Sequence, residues 1–209
     1  MTAARHPQRI LVATTNPGKF REIVAIFGPL PVQLVGLDEL GQPPPVVEDG
    51  ATFAANAAKK ALHYAAWSKL WTLAEDSGLE VNALDRAPGV YSARYAGPDS
   101  TDAANNAKLV AALTGVPDHQ RSARFRCAAV LAAPDGILAR AEGTIEGRII
   151  DQPRGRNGFG YDPHFFVPEL ACTTAELSPH DKNRLSHRGQ ALRALLPQIQ
   201  RLLQTPQTT

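Results

Sequence analysis

The chain is poor in cysteine, in long apolar runs and in any excess of charge of one sign. Its 209 residues contain only two cysteines, Cys127 and Cys172. Cys127 lies in a strand-like run and Cys172 in a predicted loop, so we expect reduced thiols and no disulfide framework. Lysine and arginine number 22 against 20 acidic residues, a formal net charge of +2. This balance argues against a dedicated nucleic-acid-binding protein, which usually carries a basic excess on one face.

No stretch is apolar over the roughly 18 or more residues that a membrane-spanning helix needs. The polar segment 1–9 lacks the apolar core of a signal peptide. We therefore expect a cytoplasmic protein without membrane or nucleic-acid partners. With 44% hydrophobic residues, the chain suits one domain, or two lobes that share a core. We expect this domain to span residues 1–209, with flexible ends at about 1–8 and 204–209.

Short apolar runs alternate with helical patterns and hairpin signals. Residues 10–13 predict a buried strand, and the spacing of Phe20, Ile23, Val24 and Phe27 predicts a helix that follows it. The same criteria predict a helix over 53–66 and a helix from Ser100 or Thr101 to Leu113. They also predict a last helix from Ser186 to about 203, with a kink or restart at Pro197. Further strands are predicted over 72–74, 79–81, 124–132 and 137–145. This mixture indicates an α/β protein with a mixed sheet.

The segment Gly158-Phe159-Gly160-Tyr161-Asp162-Pro163 places an aromatic ring between two glycines and beside an acid. Glycine allows a close approach of backbone to a ligand, and an aromatic face can stack on a planar base. His187 and Arg188 follow two dozen residues later and can donate hydrogen bonds to ring oxygens. The residues alone leave two interpretations open: a site that recognises a nucleobase, or a tight turn with Phe159 and Tyr161 as core anchors.

The segment Thr14-Thr15-Asn16-Pro17-Gly18-Lys19 joins the first strand to the first helix. It fails the Walker A pattern, because Ala13 stands where the first glycine is required and Phe20 where Ser or Thr should follow the lysine. Loop amides at a helix N-terminus together with one lysine can nevertheless hold phosphates. The alternative is a helix cap with a solvated Lys19.

Two acids are candidates for a metal site. Asp76 lies in Glu75-Asp76-Ser77-Gly78, directly after the predicted strand 72–74, and Glu48 follows a proline-rich segment. Mg²⁺ usually binds through one or two carboxylates together with phosphate oxygens and water. The alternatives are that Asp76 is a turn acid that caps the next segment and that Glu48 is a surface acid. The histidines His6, His63, His119, His164 and His180 show no zinc-ligand spacing, so we expect none to be a ligand.

Taken in order with Lys182, these segments resemble the non-canonical purine nucleoside triphosphate pyrophosphatase family (inosine/xanthosine triphosphate or dITP/XTP pyrophosphatases). The resemblance runs from about Ile10 to Leu203. It implies an elongated two-lobed fold with the active cleft between the lobes, and hydrolysis of ITP, dITP and XTP to the monophosphate and pyrophosphate. It also implies Mg²⁺, a homodimer, and a role in removing these nucleotides from the nucleotide pool.

The resemblance further implies roles for single residues. Asp76 would be the general base and would bind Mg²⁺ with Glu48, which lies in the family's E-x-G-x-T-F pattern. Glu75 stands where many relatives have Asp, and would either help to hold the metal or support Asp76. The implied substrate-binding residues are Thr14, Thr15, Asn16, Pro17, Gly18, Lys19, Ser77, Phe159, Gly160, Tyr161, Asp162, Lys182, His187 and Arg188.

In this scheme Phe159 stacks on the base, while His187 and Arg188 donate toward its 6-keto oxygen. Both residues would lie at the start of the last helix, where the helix dipole disfavours a positive charge, and this placement favours a role toward a ligand. Arg94 is left outside the predicted site, as a structural or phosphate contact. Two rival functions differ in kind: a nucleotide-binding module without catalysis, and a pyrophosphatase of modified pyrimidine nucleotides.

Overall fold

The computed structural model describes residues 7–204 and contains a seven-stranded mixed sheet flanked by helices. Its strands are β1 (Gln8–Val12), β2 (Val32–Gly36), β3 (Trp71–Val81), β4 (Ser122–Ala133), β5 (Gly136–Ile149), β6 (Phe165–Val167) and β7 (Cys172–Thr173). Its α-helices are α1 (Pro17–Phe27), α2 (Phe53–Ser68), α3 (Asp102–Ala112), α4 (Pro179–Leu185) and α5 (His187–Gln204). The strand order is β2-β1-β3-β4-β5-β6-β7. Strand β1 is parallel to β2 and β3, and the other neighbours are antiparallel. The predicted mixed-sheet α/β fold is confirmed.

The central strand β3 is much longer than its neighbour β1. It pairs with β1 only over Trp71–Leu73, but with β4 along Thr72–Val81. The edge of β3 is therefore open from Ala74 to Gly78, at the point where the loop after β1 begins, whereas Leu79 to Val81 bond the segment 87–92. The predicted strand end at residue 74 is thus wrong, and Glu75–Gly78 lie inside a continuous strand because the ladder to β4 extends through them.

Side chains of β3 alternate between the two faces of the sheet. Leu73 packs in a core cluster with residues of α1 and α5, whereas Ala74 packs in a second cluster with residues of α2. Glu75 continues the first face and Asp76 the second. Two acids that are adjacent in sequence therefore serve opposite faces of the same sheet.

A third core cluster joins the far ends of the long strands to α3. It contains Leu79 and Val81 of β3, Leu109 of α3 and Tyr161 of the aromatic segment. The molecule thus has two lobes, one around α1, α2 and α5 and one around α3, which share strands β3 to β5.

The predicted N-terminal caps of α3 and α5 are confirmed. Thr101 rather than Ser100 caps α3, and Ser186 caps α5, since its Oγ accepts from the amide of Gly189 at 3.1 Å. The last helix runs through Pro197 without a restart.

Helix α4 and strands β2, β6 and β7 were not predicted from the sequence. The flexible ends that we predict lie largely outside the described residues; at their inner limits Gln8 begins β1 and Gln204 ends α5. Within residues 7–204 no helix combines the length and hydropathy needed to cross a membrane.

Candidate active site

A pocket between the two lobes collects most of the predicted substrate-binding residues. Those that line it are Asn16, Lys19, Ser77, Phe159, Gly160, Tyr161, Asp162, Lys182, His187 and Arg188. Thr14, Thr15 and Pro17 line a neighbouring depression on the other side of the first loop. A third depression, lined by Phe53, Pro88 and Arg126 among others, contains none of the predicted residues.

The first loop is ordered by its own side chains. Asn16 caps α1, because its Oδ1 accepts from the amide of Lys19 at 3.0 Å, and Thr14 Oγ1 accepts from the amide of Asn16 at 3.2 Å. Gly18 lies against the ring of Phe159, where a Cβ atom would come within 2.6 Å of the ring. The loop therefore brings its backbone to the aromatic side chain at a distance that only glycine permits.

Glu75 lies buried beneath this loop. Its carboxylate forms a 2.7 Å ion pair with Lys19 Nζ, and Arg188 Nε lies 3.7 Å away. Burial alone would raise the pKa of Glu75, but the charges of Lys19, Arg188 and Lys60 hold that pKa well below its usual range. Glu75 is thus an ionised counterion that orders two cations of the pocket. It does so on the face of the sheet away from α2, which favours the supporting role over metal binding.

The aromatic segment forms a turn over two cations. Lys182 Nζ lies 4.5 Å from the centroid of the Phe159 ring, and the guanidinium carbon of Arg188 lies 5.4 Å from it. Asp162 Oδ2 accepts from the amide of Phe159 at 2.8 Å and pairs with Lys182 Nζ at 2.5 Å. Phe159 is only half-buried. It therefore keeps ring surface available to a ligand.

Tyr161 and Asp162 of the same turn are anchors. Tyr161 is buried, and its hydroxyl donates to the carbonyl of Ser92 at 2.8 Å. Burial, followed by the charges of neighbouring groups, raises its pKa well above the usual value, so the hydroxyl stays protonated. Asp162 is also buried and is satisfied by Phe159, Lys182 and Thr174. The core-anchor interpretation thus describes Tyr161 well, whereas Phe159 faces the pocket.

Arg188 is 2% exposed and lies among Glu22, Ser77 and Glu75. Its Nη1 bonds Glu22 at 2.5 Å, its Nη2 bonds Ser77 Oγ at 2.9 Å, and its Nε has no hydrogen-bond partner within residues 7–204. Burial favours the neutral guanidinium, but the carboxylates of Glu75 and Glu22 raise the pKa of Arg188. These two acids offset the unfavourable position of the cation at a helix start.

Glu22 is a site residue that sequence reasoning missed. It bridges Arg188 and Lys182, the latter at 3.0 Å. Burial opposes its ionisation, yet those two cations lower its pKa below the usual value. The available signal was its position one turn after Lys19 on α1, which places both side chains on one helix face.

His187 is buried against the ring of Phe125, with ring centroids 4.8 Å apart and an interplanar angle of 14°. Burial, and then the charges of Arg188 and Lys182, hold its pKa well below the usual value, so the imidazole is neutral. Its Nδ1 is buried without a hydrogen-bond partner within residues 7–204. A buried unpaired nitrogen at the pocket wall is a group that a ligand can satisfy.

Asp76 lies at the open edge of β3, next to α2. Its Oδ1 accepts from the amide of Ser77 at 2.9 Å and its Oδ2 from Asn56 Nδ2 at 3.0 Å. Burial is the largest influence and raises the pKa of Asp76, even though Lys60 and Asn56 act in the opposite direction. Asn56 Oδ1 also accepts from the amide of Gly50 at 2.7 Å. The buried amide of Asn56 therefore links the strand of Asp76 to the loop that carries Glu48.

Glu48 is joined to the same region by Lys60, whose Nζ lies 2.8 Å from its carboxylate. Burial would lower the pKa of Lys60, but Glu48, Glu75 and Asp76 together raise it. Arg94 donates to the backbone carbonyl of Glu48 at 3.2 Å, which assigns it a structural contact. Sequence reasoning missed Asn56 and Lys60, two polar residues on the mainly apolar buried face of α2.

Glu48 and Asp76 are the carboxylates of this region that a metal ion could bind. The described part of the chain holds no group of three or more His, Cys, Asp and Glu side chains placed to bind a metal. Asp76 is linked through Asn56 to the amide of Gly50, which lies two residues after Glu48 in the same loop. Mg²⁺ prefers one or two protein carboxylates completed by phosphate oxygens and water, so these residues fit that ion.

The interlobe pocket of this α/β protein combines an aromatic ring with buried cations, and the central strand adds carboxylates on both faces of the sheet. These features define the class of proteins that bind anionic nucleotides. Comparison with known proteins makes this specific. The chain belongs to the Ham1 family, whose family model matches residues 10–198. The resemblance inferred from the motifs is confirmed.

Curated relatives cover nearly all of the chain. It is 49% identical to the dITP/XTP pyrophosphatase of Desulforamulus reducens over 93% of this chain and 96% of the relative. It is 52% identical to the dITP/XTP pyrophosphatase of Geobacter sulfurreducens, over 90% of this chain and 94% of the relative. A HAM1 protein from Coxiella burnetii has a similar structure, with a TM-score of 0.85, 41% identity and coverage of 93% of this chain and 99% of that one. A dITP/XTP pyrophosphatase from Mycobacterium abscessus aligns with a TM-score of 0.73, 44% identity and coverage of 92% and 100%.

Proposed function

We propose that the chain hydrolyses ITP, dITP and XTP to the corresponding monophosphate and pyrophosphate, and so removes them from the nucleotide pool. The chain acts as a nucleoside triphosphate pyrophosphatase on the bond between the α and β phosphates. Relatives at about half identity over nine-tenths of the chain support this activity. The structural observation that carries it is strand β3, which directs Glu75 to the cations of the pocket and Asp76 to the open edge at α2.

The first loop binds the triphosphate. Lys19 and the backbone at the start of α1 supply positive charge and amide donors, and Thr14, Thr15, Pro17 and Gly18 shape the same loop. Glu75 keeps Lys19 in place in the absence of substrate. When the leaving pyrophosphate gains charge, this lysine and the loop amides stabilise it.

Asp76 accepts a proton from the attacking water. Its raised pKa makes it a better base than an exposed carboxylate, and Asn56 and the Ser77 amide fix its orientation. Glu48 and Asp76 are the residues that would hold Mg²⁺. The bound ion supplies positive charge that offsets the charge of the phosphates.

Phe159 stacks on the base, and His187 with Arg188 donates to its 6-keto oxygen. Glu22 and Ser77 accept hydrogen bonds from Nη1 and Nη2 of Arg188, so the guanidinium donates to the base through an N–H group that these two bonds leave free. Adenine carries an amino group at position 6 and cannot accept there. Donors left unpaired in a buried site cost roughly 1–3 kcal/mol each, which disfavours ATP.

The remaining parts of the proposal concern the whole chain. A single catalytic domain, a homodimer and a cytoplasmic location accompany the proposed activity, and size-exclusion chromatography with light scattering measures the oligomeric state.

Product analysis tests the reaction. With Mg²⁺ and ITP we expect IMP and pyrophosphate in equal amounts. IDP and orthophosphate as first products would contradict the proposal. A panel that includes dITP, XTP, ATP, GTP and modified pyrimidine triphosphates distinguishes the rivals: turnover confined to the pyrimidines supports a pyrimidine pyrophosphatase, and binding without turnover supports a binding module.

A further inference from the structure

Helix α3 holds the aromatic turn at a single residue. The amide of Gly160 donates to Asp102 Oδ2 at 2.7 Å, and the carbonyl of Gly160 accepts from Asn106 Nδ2 at 2.9 Å. Asp102 and Asn106 lie four residues apart, so they project from one face of the helix. Both backbone polar groups of Gly160 are therefore bound by side chains of the same element.

The surroundings of Asn106 show that its bond to Gly160 is not incidental. Its Oδ1 is buried and has no hydrogen-bond partner within residues 7–204. A buried unpaired amide oxygen costs roughly 1–3 kcal/mol, a cost that an apolar side chain would avoid. The bond from its Nδ2 to Gly160 is the interaction that an apolar residue could not make at this position.

The bond from Asp102 to Gly160 is not explained by the capping of α3. Thr101 already caps α3, since its Oγ1 accepts from the amide of Ala104 at 3.2 Å. An acid in the first turn also interacts favourably with the helix dipole, which is the alternative explanation for Asp102. Its carboxylate, however, makes a short bond to Gly160 and lines the same pocket as Phe159 and Arg188.

The helix itself is firmly attached to the second lobe. Asn105 is buried and bonds the carbonyl of Ala93 at 3.2 Å and the amide of Ala96 at 2.8 Å, while Leu109 is fully buried. Gly158 and Gly160 have left-handed φ angles of 78° and 61°. A turn rich in such residues has many conformations to lose when a ligand binds, at about 1–2 kcal/mol for each backbone residue ordered.

We propose that Asp102 and Asn106 are positioning residues that fix Gly160 and thereby hold Phe159 ready for the purine base. This inference rests on the proposed function, because it assigns the two side chains to recognition of the base of that same substrate. Holding the turn in place before binding lowers the ordering cost and so strengthens substrate binding. Neither side chain touches the reacting phosphates in this scheme.

The test compares ITP with methyl triphosphate, which has the phosphates but no base. In Asp102→Ala and Asn106→Ala we expect kcat/KM for ITP to fall by about 5- to 10-fold each, mostly through KM, as for the loss of one hydrogen bond. The kinetic parameters for methyl triphosphate should stay unchanged. Asp102→Asn keeps an acceptor oxygen for Gly160 and should behave like the wild type. Lys108→Ala, on the same helix but bonded to the carbonyl of Tyr95, is the control for a general loosening of α3.

Calorimetric binding of IMP without metal gives a second readout, and we expect the Kd to rise by a similar factor in the two alanine variants. Equal losses on ITP and methyl triphosphate, or no loss in either alanine variant, would overturn the positioning role. A defect in Asp102→Asn as large as in Asp102→Ala would overturn it as well. If the wild type does not hydrolyse ITP, the proposed function fails. The positioning role is then judged from IMP affinity, and a wild type that does not bind IMP overturns it.

Discussion

Glu75 and Asp76 are neighbours in sequence, yet the sheet gives them opposite environments. Glu75 lies among three cations, and its pKa is lowered; Asp76 lies against a neutral amide, and burial raises its pKa. The alternation of side chains along a strand is sufficient to produce this difference. The residue that stays ionised orders the cations, and the residue that binds a proton more readily is the better base.

Replacing Asp76 with Asn should abolish most activity without unfolding the protein. The variant loses the proton acceptor, and general-base removal costs on the order of 10²–10⁴ in rate. Turnover of ITP at saturating Mg²⁺, together with a thermal melt, checks this. Glu80→Gln is the matched control, because Glu80 lies on the same strand and face but pairs with Arg124 at 2.6 Å. Near-normal turnover of the Asn variant would remove Asp76 from its role.

Arg188 should decide selectivity for the 6-keto group. Alanine is a poor probe, since it would remove a buried cation that Glu22 and Glu75 share with Lys182 and Lys19. Arg188→Lys keeps the charge and loses the planar fork. We expect kcat/KM for ITP to fall about 10- to 150-fold, the value of a charge-assisted bond, and for ATP to fall little. Arg184→Lys, an exposed arginine of α4, serves as control, and an unchanged ITP/ATP ratio in Arg188→Lys would show that Arg188 does not recognise the base.

The residues missed from the sequence are all buried polar partners of predicted ones. Glu22, Asn56 and Lys60 occupy ordinary positions on amphipathic helices, where a polar residue more often faces solvent. Their roles depend on which strand each helix covers, a long-range relation that local periodicity does not contain. Phe159 and Arg188 could be singled out because glycines and a helix start mark them locally.

At the scale of elements, the length of β3 creates the site. A strand as short as predicted would have placed Asp76 in a turn, whereas the continuous ladder to β4 holds it rigidly beside an open edge. The run of alternating residues in β4 was predictable, but its pairing with Glu75–Gly78 was not, because small polar residues and glycine resemble a loop in sequence.

The start of α5, which carries His187 and Arg188, is positioned by its contact with β5. The absence of a side chain at Gly143 of β5 permits this close contact. A Cβ atom at Gly143 would overlap the carbonyl oxygen of His187 and come within 2.6 Å of the amide nitrogen of Ala191. Gly143→Ala should therefore displace the start of α5, raise KM for ITP and destabilise the fold by roughly 1–3 kcal/mol.

Gly136→Ala is the control for that substitution. It lies on the same strand, and no atom of residues 7–204 lies within 4 Å of the position of its Cβ. Denaturant unfolding and ITP kinetics of both variants measure the two effects. Equal behaviour of the two alanine variants would show that the close approach of α5 does not set the site.

At the scale of the whole molecule, the two lobes and their shared strands agree with the resemblance, and solved relatives have the same fold. Capping residues predicted α3, and turn residues predicted the β4–β5 hairpin. Hydrophobic periodicity predicted α2, β4 and α5, because each buries a regular apolar face. It did not predict β6 and β7, which are only three and two residues long. Strands this short carry too few alternating positions to be distinguished from loop.

Global stability should fall on mild acidification because of His187. Its pKa in the folded protein lies well below the usual 6.5, so between these two values the unfolded state binds a proton that the folded state does not. Stability therefore rises with pH across this window and is lost as the pH falls below about 6.5, by up to about 1.4 kcal/mol per pH unit. Asp76, with its raised pKa, acts in the opposite direction.

The difference in unfolding free energy between the wild type and His187→Asn isolates the contribution of the histidine. In urea unfolding at pH 7.5, 6.5, 6.0 and 5.5, the wild type should lose more stability on acidification than the Asn variant, and parallel pH profiles would contradict a buried neutral His187.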